Sequence, residues 1–314
     1  MLGRRADQLY WMARYIERAE NAARLLDVSY RMSLIPQSGD ARRSAWETLL
    51  VVVGSAKDFS QTHGDPTRQN VIGYVALDPD LSNSIFSSIR AARENARALR
   101  ATIPTEMWEC LNGAWLDLQE MTPDSLAARG YRNFFDWVKE RMILFRGTAE
   151  GTMMRDEGYA FAQLGWDIER ADNTARLLDS KYHVLLPESE DVGGAVDYYQ
   201  WGALLRSLGA FRAYHRVYRD IVKPHRVAEL LVLRHDMPRS LRACFDRIVD
   251  TLDGVSGRTD NQECQRLAGQ LHARLRYGRM DEIFSAGLHE FLIEFMKSTH
   301  ALGQQIQRDF MMIQ

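Results

Sequence analysis

Two short segments concentrate the side chains that could do chemistry in this 314-residue chain. Residues 16–27 read IERAENAARLLD and residues 168–179 read IERADNTARLLD, identical at ten of twelve positions. The first supplies Glu17, Glu20, Asn21 and Arg24, and the second Glu169, Asp172, Asn173 and Arg176. A carboxylate can hold an amine or accept a proton, an amide can both donate and accept, and a guanidinium grips carboxylate or phosphate through paired hydrogen bonds. Glu17 and Glu169 are the candidate general bases, and the eight residues together are a candidate ligand set.

A helix must position them. Leu9, Met12, Ile16, Ala19, Ala23, Leu26 and Tyr30 alternate at spacings of three and four, and so do Phe161, Leu164, Ile168, Ala171, Ala175, Leu178 and Tyr182. That is the seam of a long amphipathic helix. At 100° per residue, Glu20 and Asp27 fall at the edge of the seam or within it, while Glu17, Asn21 and Arg24 form one flank. Carboxylates beside an apolar seam are costly unless paired, and Arg24 is placed to neutralise Glu20 or Asp27 along the helix. Three readings follow. The residues form a buried network that locks crossing helices in register. Or they line a polar pocket on a pseudo-twofold axis, in which Arg24 and Arg176 take a carboxylate or phosphate and Glu17 and Glu169 an amine, as an amino-acid or peptide ligand requires. Or the carboxylates hold metals, as in ferritin-like bundles; that architecture also uses Glu-x-x-His, which is absent from the sequence, so no metal is expected.

The match between the halves extends beyond these segments. SLIPQS (33–38) answers VLLPES (184–189), Trp46, Leu49 and Leu50 answer Trp201, Leu204 and Leu205, and Gly54 answers Gly209. Phe134–Phe145 and Phe284–Phe295 match weakly. A period this long implies one duplication, with repeats of about 1–155 and 156–314 inside a single domain, 1–314. Helical periodicity also marks 41–60, 82–101, 105–119, 131–155, 196–219, 238–254, 260–276 and 280–312. Loops are expected at 34–40, 61–68, 121–130, 184–195 and 254–259, and Asp80 and Asp236 stand where helix N-caps would. No stretch alternates with period two, so the expected fold is an all-α, compact bundle of two pseudo-equivalent halves.

One more charged face distinguishes the halves. Arg93, Glu94 and Arg97, with Arg90, share a helix face, whereas the aligned positions of the second half are mostly acidic. If a single ligand site exists, this asymmetry places it nearer the first half. Overall the charge nearly balances, 40 Lys plus Arg against 42 Asp plus Glu, which argues against a nucleic-acid partner. Only five of the basic residues are lysine. Three cysteines without CxxC spacing support neither a disulfide scaffold nor a thiolate zinc site. No signal-peptide pattern and no membrane-length apolar run is evident, so a cytoplasmic protein is expected. GxGxxG, P-loop, HExxH and GxSxG motifs are all missing. Without a phosphate-cradling loop, no cofactor is expected in this chain.

ADQLYWMARYIERAENAARLLD, LDPDLSNSIFSSIRAARENARALRATIPTEMWECLN, GWDIERADNTARLLD and MPRSLRACFDRI together resemble the alpha-E domain family of bacterial all-helical proteins. The chain departs from that pattern at Leu164-Gly165-Trp166, where the family has Leu-Gly-Arg. The resemblance implies an association with circularly permuted ATP-grasp proteins and with transglutaminase-like peptidases, in peptide or amide biosynthesis. ATP and Mg would then sit on the ATP-grasp amide ligase partner. Three functions compete: an accessory or substrate-binding component of that system, an enzyme using a signature Glu as general base for amide transfer or hydrolysis, and a structural scaffold. Mid-seam Ala19 and Ala171 predict that the two signature helices meet. Cysteines placed at 19 and 171 should therefore form a disulfide on mild oxidation, and failure to cross-link would contradict the meeting.

Overall fold

The computed structural model describes residues 3–34, 39–184, 195–256 and 262–311, and these form sixteen helices. They divide into two compact units, Met1–Trp166 and Asp167–Gln314, with the boundary inside one helix. The all-α expectation holds, and no strand occurs among the described residues.

In the first unit α1 (Gly3–Ser33) packs on α5 (Ile85–Ala98) and α8 (Tyr131–Thr152), and α6 (Thr105–Gln119) packs on both of these, which closes a four-helix ring. Short helices α2 (Gly39–Val53), α3 (Ala56–Thr62), α4 (Arg68–Leu77) and α7 (Pro123–Arg129) fill the connections. The apolar seam residues Leu9, Met12, Ile16, Ala19, Ala23 and Leu26 are all buried, together with Phe135, Val138, Met142 and Phe145 of α8. Burial of α1 is much wider than its seam, because Glu17, Glu20, Asn21 and Asp27 are buried too.

The second unit has the helix order α9 (Glu157–Val184, which begins in the first unit), α10 (Ala195–Ser207), α11 (Phe211–Tyr218), α12 (Pro224–Val232), α13 (Leu241–Ser256), α14 (Glu263–Tyr277), α15 (Met280–Ala286) and α16 (Leu288–Phe310). Here α14 packs on both α13 and α16.

Several boundaries differ from those expected. Residues 41–60 and 196–219 each hold two helices, because Gly54 (φ 77°) and Gly209 (φ 68°) turn the chain through left-handed geometry that favours glycine. Residues 280–312 break in the same way at Gly287 (φ 101°). The loop expected at 121–130 contains α7, which starts with Pro123 and is capped reciprocally by Thr122 and Ser125. Asp80 and Asp236 are not N-caps. Ser84 and Ser240 accept from the backbone N–H groups of Ser87 and Ala243, while Asp236 pairs with Arg234. Most of SLIPQS, VLLPES and the loop 184–195, and parts of 34–40 and 254–259, lie outside the described residues.

Gly165 of α9 marks a close crossing with α1 inside the first unit. A Cβ there would stand 2.3 Å from the Tyr10 carbonyl oxygen and 3.0 Å from the Ala13 methyl. Backbone cannot yield as a flexible side chain can, so Gly165→Ala should destabilise by about 1–3 kcal/mol in urea unfolding. Wild-type stability in that variant would show that the crossing is looser than described.

Candidate functional site

Helix α1 carries three buried carboxylates along its length, and each is met by cations of the same unit. Arg24 Nη2 lies 2.6 Å and Nε 2.9 Å from Glu20 Oε1, one turn along the helix. Arg146 of α8 reaches in from the facing helix: its Nη1 is 2.5 Å from Glu17 Oε2 and 3.0 Å from Glu20 Oε2. Both glutamates are fully buried, so a single guanidinium nitrogen bridges two charges removed from water. Two turns further on, Asp27 accepts from Arg31 Nε at 2.9 Å and from Lys139 Nζ of α8 at 3.1 Å. Helices α1 and α8 are antiparallel, so Glu20 and Asp27, seven apart, face Arg146 and Lys139, also seven apart.

Sequence reasoning missed Arg146 and Lys139. A signal existed: they are basic residues at two-turn spacing on the edge of the apolar stripe formed by Phe135, Val138, Met142 and Phe145.

The second unit keeps the acids but changes their partners. Asp172 pairs with Arg176 at 2.7 Å, yet the Arg176 side chain is 47% exposed where that of Arg24 is 11%. Desolvation works against the Arg176 charge, and Asp172, Glu169 and Asp179 outweigh it, holding the guanidinium above its ordinary value. Asp179 lies 2.6 Å from His289 Nδ1 of α16. Buried Asp167 takes two bonds from Arg247 of α13, at 2.9 and 2.6 Å, and sequence reasoning missed this pair as well. The position that departs from the Leu-Gly-Arg pattern, Trp166, is a buried ring packed edge-on against Tyr159.

Two signature side chains stand apart from this pairing. Asn21 Oδ1 and Asn173 Nδ2 are buried without a hydrogen-bond partner among the described residues. Amide O and N exchange by a flip, so the observation is one unsatisfied amide atom in each unit.

Arg93, Glu94 and Arg97 have their partners elsewhere. Arg93 Nε donates to Asn112 Oδ1 of α6 at 2.9 Å and its guanidinium lies over Trp108, while Glu94 pairs with Arg93 and Arg97 on the surface of α5. In the second unit Asp246 of α13 meets His272 of α14 at 2.6 Å. The Arg93–Asn112 and Asp246–His272 contacts each join neighbouring helices, and among the described residues no hydrogen bond or ion pair connects Arg93, Glu94 or Arg97 to the signature residues.

Neither Cys264 nor Cys110 is prepared as a nucleophile. Burial, and then Asp309, push the Cys264 thiol well above its ordinary value, and burial also raises Cys110. Among the described residues no group of three or more His, Cys, Asp and Glu is arranged to hold a metal, and no helix is long and apolar enough to cross a membrane.

Breaking a buried pair strands the remaining charge, whereas an exposed pair contributes little. Arg146→Ala should therefore cost roughly 3–5 kcal/mol in chemical unfolding. Arg176→Ala should cost less than about 1 kcal/mol. Equal losses from the two variants would contradict the different burial of the two networks.

Comparison with known proteins places this arrangement. The Alpha-E family, described as a predicted alpha-helical domain with a conserved ER motif, matches residues 1–311. Glu17-Arg18 and Glu169-Arg170 are the Glu-Arg pairs of the two signature segments. Uncharacterized proteins of Mycobacterium bovis and Mycobacterium tuberculosis are each 24% identical over 314 residues, 93% of this chain and 35% of theirs. The chain thus spans about a third of the length of the curated relatives it matches. No solved structure matches it. With nearly its whole length matched, the chain belongs to the Alpha-E family.

Proposed function

We propose that this chain is the accessory, substrate-binding component of an ATP-grasp-dependent system that forms peptide or amide bonds in the cytoplasm. The observation that carries the reading is the pair of unsatisfied buried amides, Asn21 and Asn173, within segments whose charged groups are otherwise engaged. A buried amide atom without a partner costs about 1–3 kcal/mol, a cost that a peptide or amino-acid ligand removes by supplying the missing donor or acceptor. Resemblance to proteins associated with ATP-grasp enzymes supplies the partner. That partner would hold ATP and Mg and transfer the γ-phosphoryl group to a carboxylate, releasing ADP. The amine presented by this chain would then attack the acyl phosphate and release phosphate. A transglutaminase-like peptidase fits the same setting as a trimming activity.

The engagement of Glu17 by Arg146 weighs against the enzyme reading for that residue. An oxygen held 2.5 Å from a guanidinium is poorly placed to take a substrate proton. The same closed network favours a second reading, a structural scaffold, in which the signature only sets helix register.

Reconstitution separates these readings. The chain, the ATP-grasp protein, ATP and an amino-acid panel are mixed and products are read by mass spectrometry. An amide product is expected from the mixture only, and Asn21→Ala should reduce it without lowering the melting temperature. Product from the ATP-grasp protein alone, or a variant that lowers the melting temperature and leaves yield unchanged, would favour the scaffold. Turnover by the isolated chain, lost on Glu169→Gln, would favour the enzyme.

A further inference from the structure

A cavity of about 460 Å³ opens in the first unit where the end of α6, the short helix α7 and the start of α8 meet. Its lining includes Asp117, Glu120, Arg129, Phe134 and Trp137. The chain turns from α7 into α8 at Gly130 (φ 86°). A smaller cavity, about 280 Å³, lies at the corresponding junction of the second unit, where α14, α15 and α16 meet around Gly287. The two junctions share one register. Pro123 and Met280 start the short helices and Arg129 and Ala286 end them, in each case 157 residues apart, and so are the two glycines. At that spacing Phe134 corresponds to Phe291, Asp117 to Arg274 and Trp137 to Glu294, and all six line their cavities.

The second unit lines its cavity with a cation of its own. The Arg274 guanidinium lies 4.7 Å over the Phe291 ring and 3.0 Å from Glu294. An aromatic face and a carboxylate together form a guanidinium site, since the ring quadrupole and the carboxylate both attract the cation. The first unit lines its cavity with aromatic and acidic side chains and has no cation at the Arg274 position. Phe134 stacks on Trp137 with centroids 6.0 Å apart, and an aspartate replaces the arginine. Among the described residues no guanidinium lies over either ring. Among the described residues Asp117 pairs only with the half-exposed Arg141, at 3.6 Å, and neither Glu120 nor Arg129 has an ion-pair partner.

We propose that this first-unit cavity binds an amino acid, or a peptide C-terminus, with an arginine-type side chain. The guanidinium would take the place that Arg274 fills in the second unit, against Phe134, Trp137, Asp117 and Glu120, and Arg129 would pair with the ligand carboxylate. The inference rests on geometry within each unit and does not depend on the ligase reading.

Calorimetric titration of the full chain with L-arginine tests it, with citrulline, its uncharged isostere, and arginine methyl ester, which lacks the carboxylate, as comparisons. L-arginine should bind at millimolar concentration or below, with citrulline at least about tenfold weaker, as loss of a charge-assisted contact requires. A double variant, Asp117→Asn with Glu120→Gln, should lose arginine binding while melting as the wild type does. Arg129→Ala should weaken arginine and leave the ester unaffected. No binding at millimolar arginine, equal binding of citrulline, or undiminished binding by the double variant would overturn the proposal.

Discussion

Each signature segment must bury carboxylates beside an apolar seam, and the arrangement of the first unit follows from how that charge is neutralised. Glu17 and Glu20 are removed from water on α1, where an isolated carboxylate would cost far more than any single helix contact returns. One partner, Arg24, comes from the same helix at the next turn. The other, Arg146, must come from a helix running antiparallel at the right height, and Lys139 repeats the requirement two turns away at Asp27. The ion pairs thus set the register of α8 on α1, while the apolar residues Ile16, Ala23, Met142 and Phe145 supply the packing. Buried ion pairs add little net stability but penalise misplacement heavily. Such pairs suit a helix that must be placed accurately.

The two units solve the same problem with different partners. In the second, Asp172 and Arg176 lie nearer the surface, Asp179 meets a histidine in place of a lysine, and Asp167 with Arg247 adds a pair at a position held by Tyr15 in the first. Charge is exchanged likewise at the α6–α7–α8 junction, where Asp117 stands for Arg274. The two junctions share a helix register while the charges that line them differ.

Much of the fold was legible in the sequence because it depends on local periodicity. The three-and-four spacing from Leu9 to Tyr30 marked α1, and the mid-seam alanines and the carboxylates at the seam edge marked what it buries. Helix breaks at Gly54, Gly209 and Gly287 were not legible. The apolar periodicity runs through each of them, and only a positive φ, invisible in sequence, ends the helix. Of the site, the Glu20–Arg24 and Asp172–Arg176 pairs could be read because both partners lie one turn apart. Arg146 and Lys139 left a trace in their two-turn spacing beside an apolar stripe, but assigning them or Arg247 to particular carboxylates requires knowing which helices touch. The register shared by Gly130 and Gly287 was also hidden, because the flanking side chains differ while the backbone turn is kept.

Arg146 and Glu17 act on each other across the α1–α8 contact, and a double-mutant cycle measures that directly. Urea unfolding of wild type, Glu17→Gln, Arg146→Met and the double variant yields the coupling free energy. A pair at 2.5 Å with one member fully buried should couple by about 2 kcal/mol or more, with the double variant less destabilised than the two single losses combined. Additive losses, within about 0.5 kcal/mol, would show that the two residues act independently and would contradict the account.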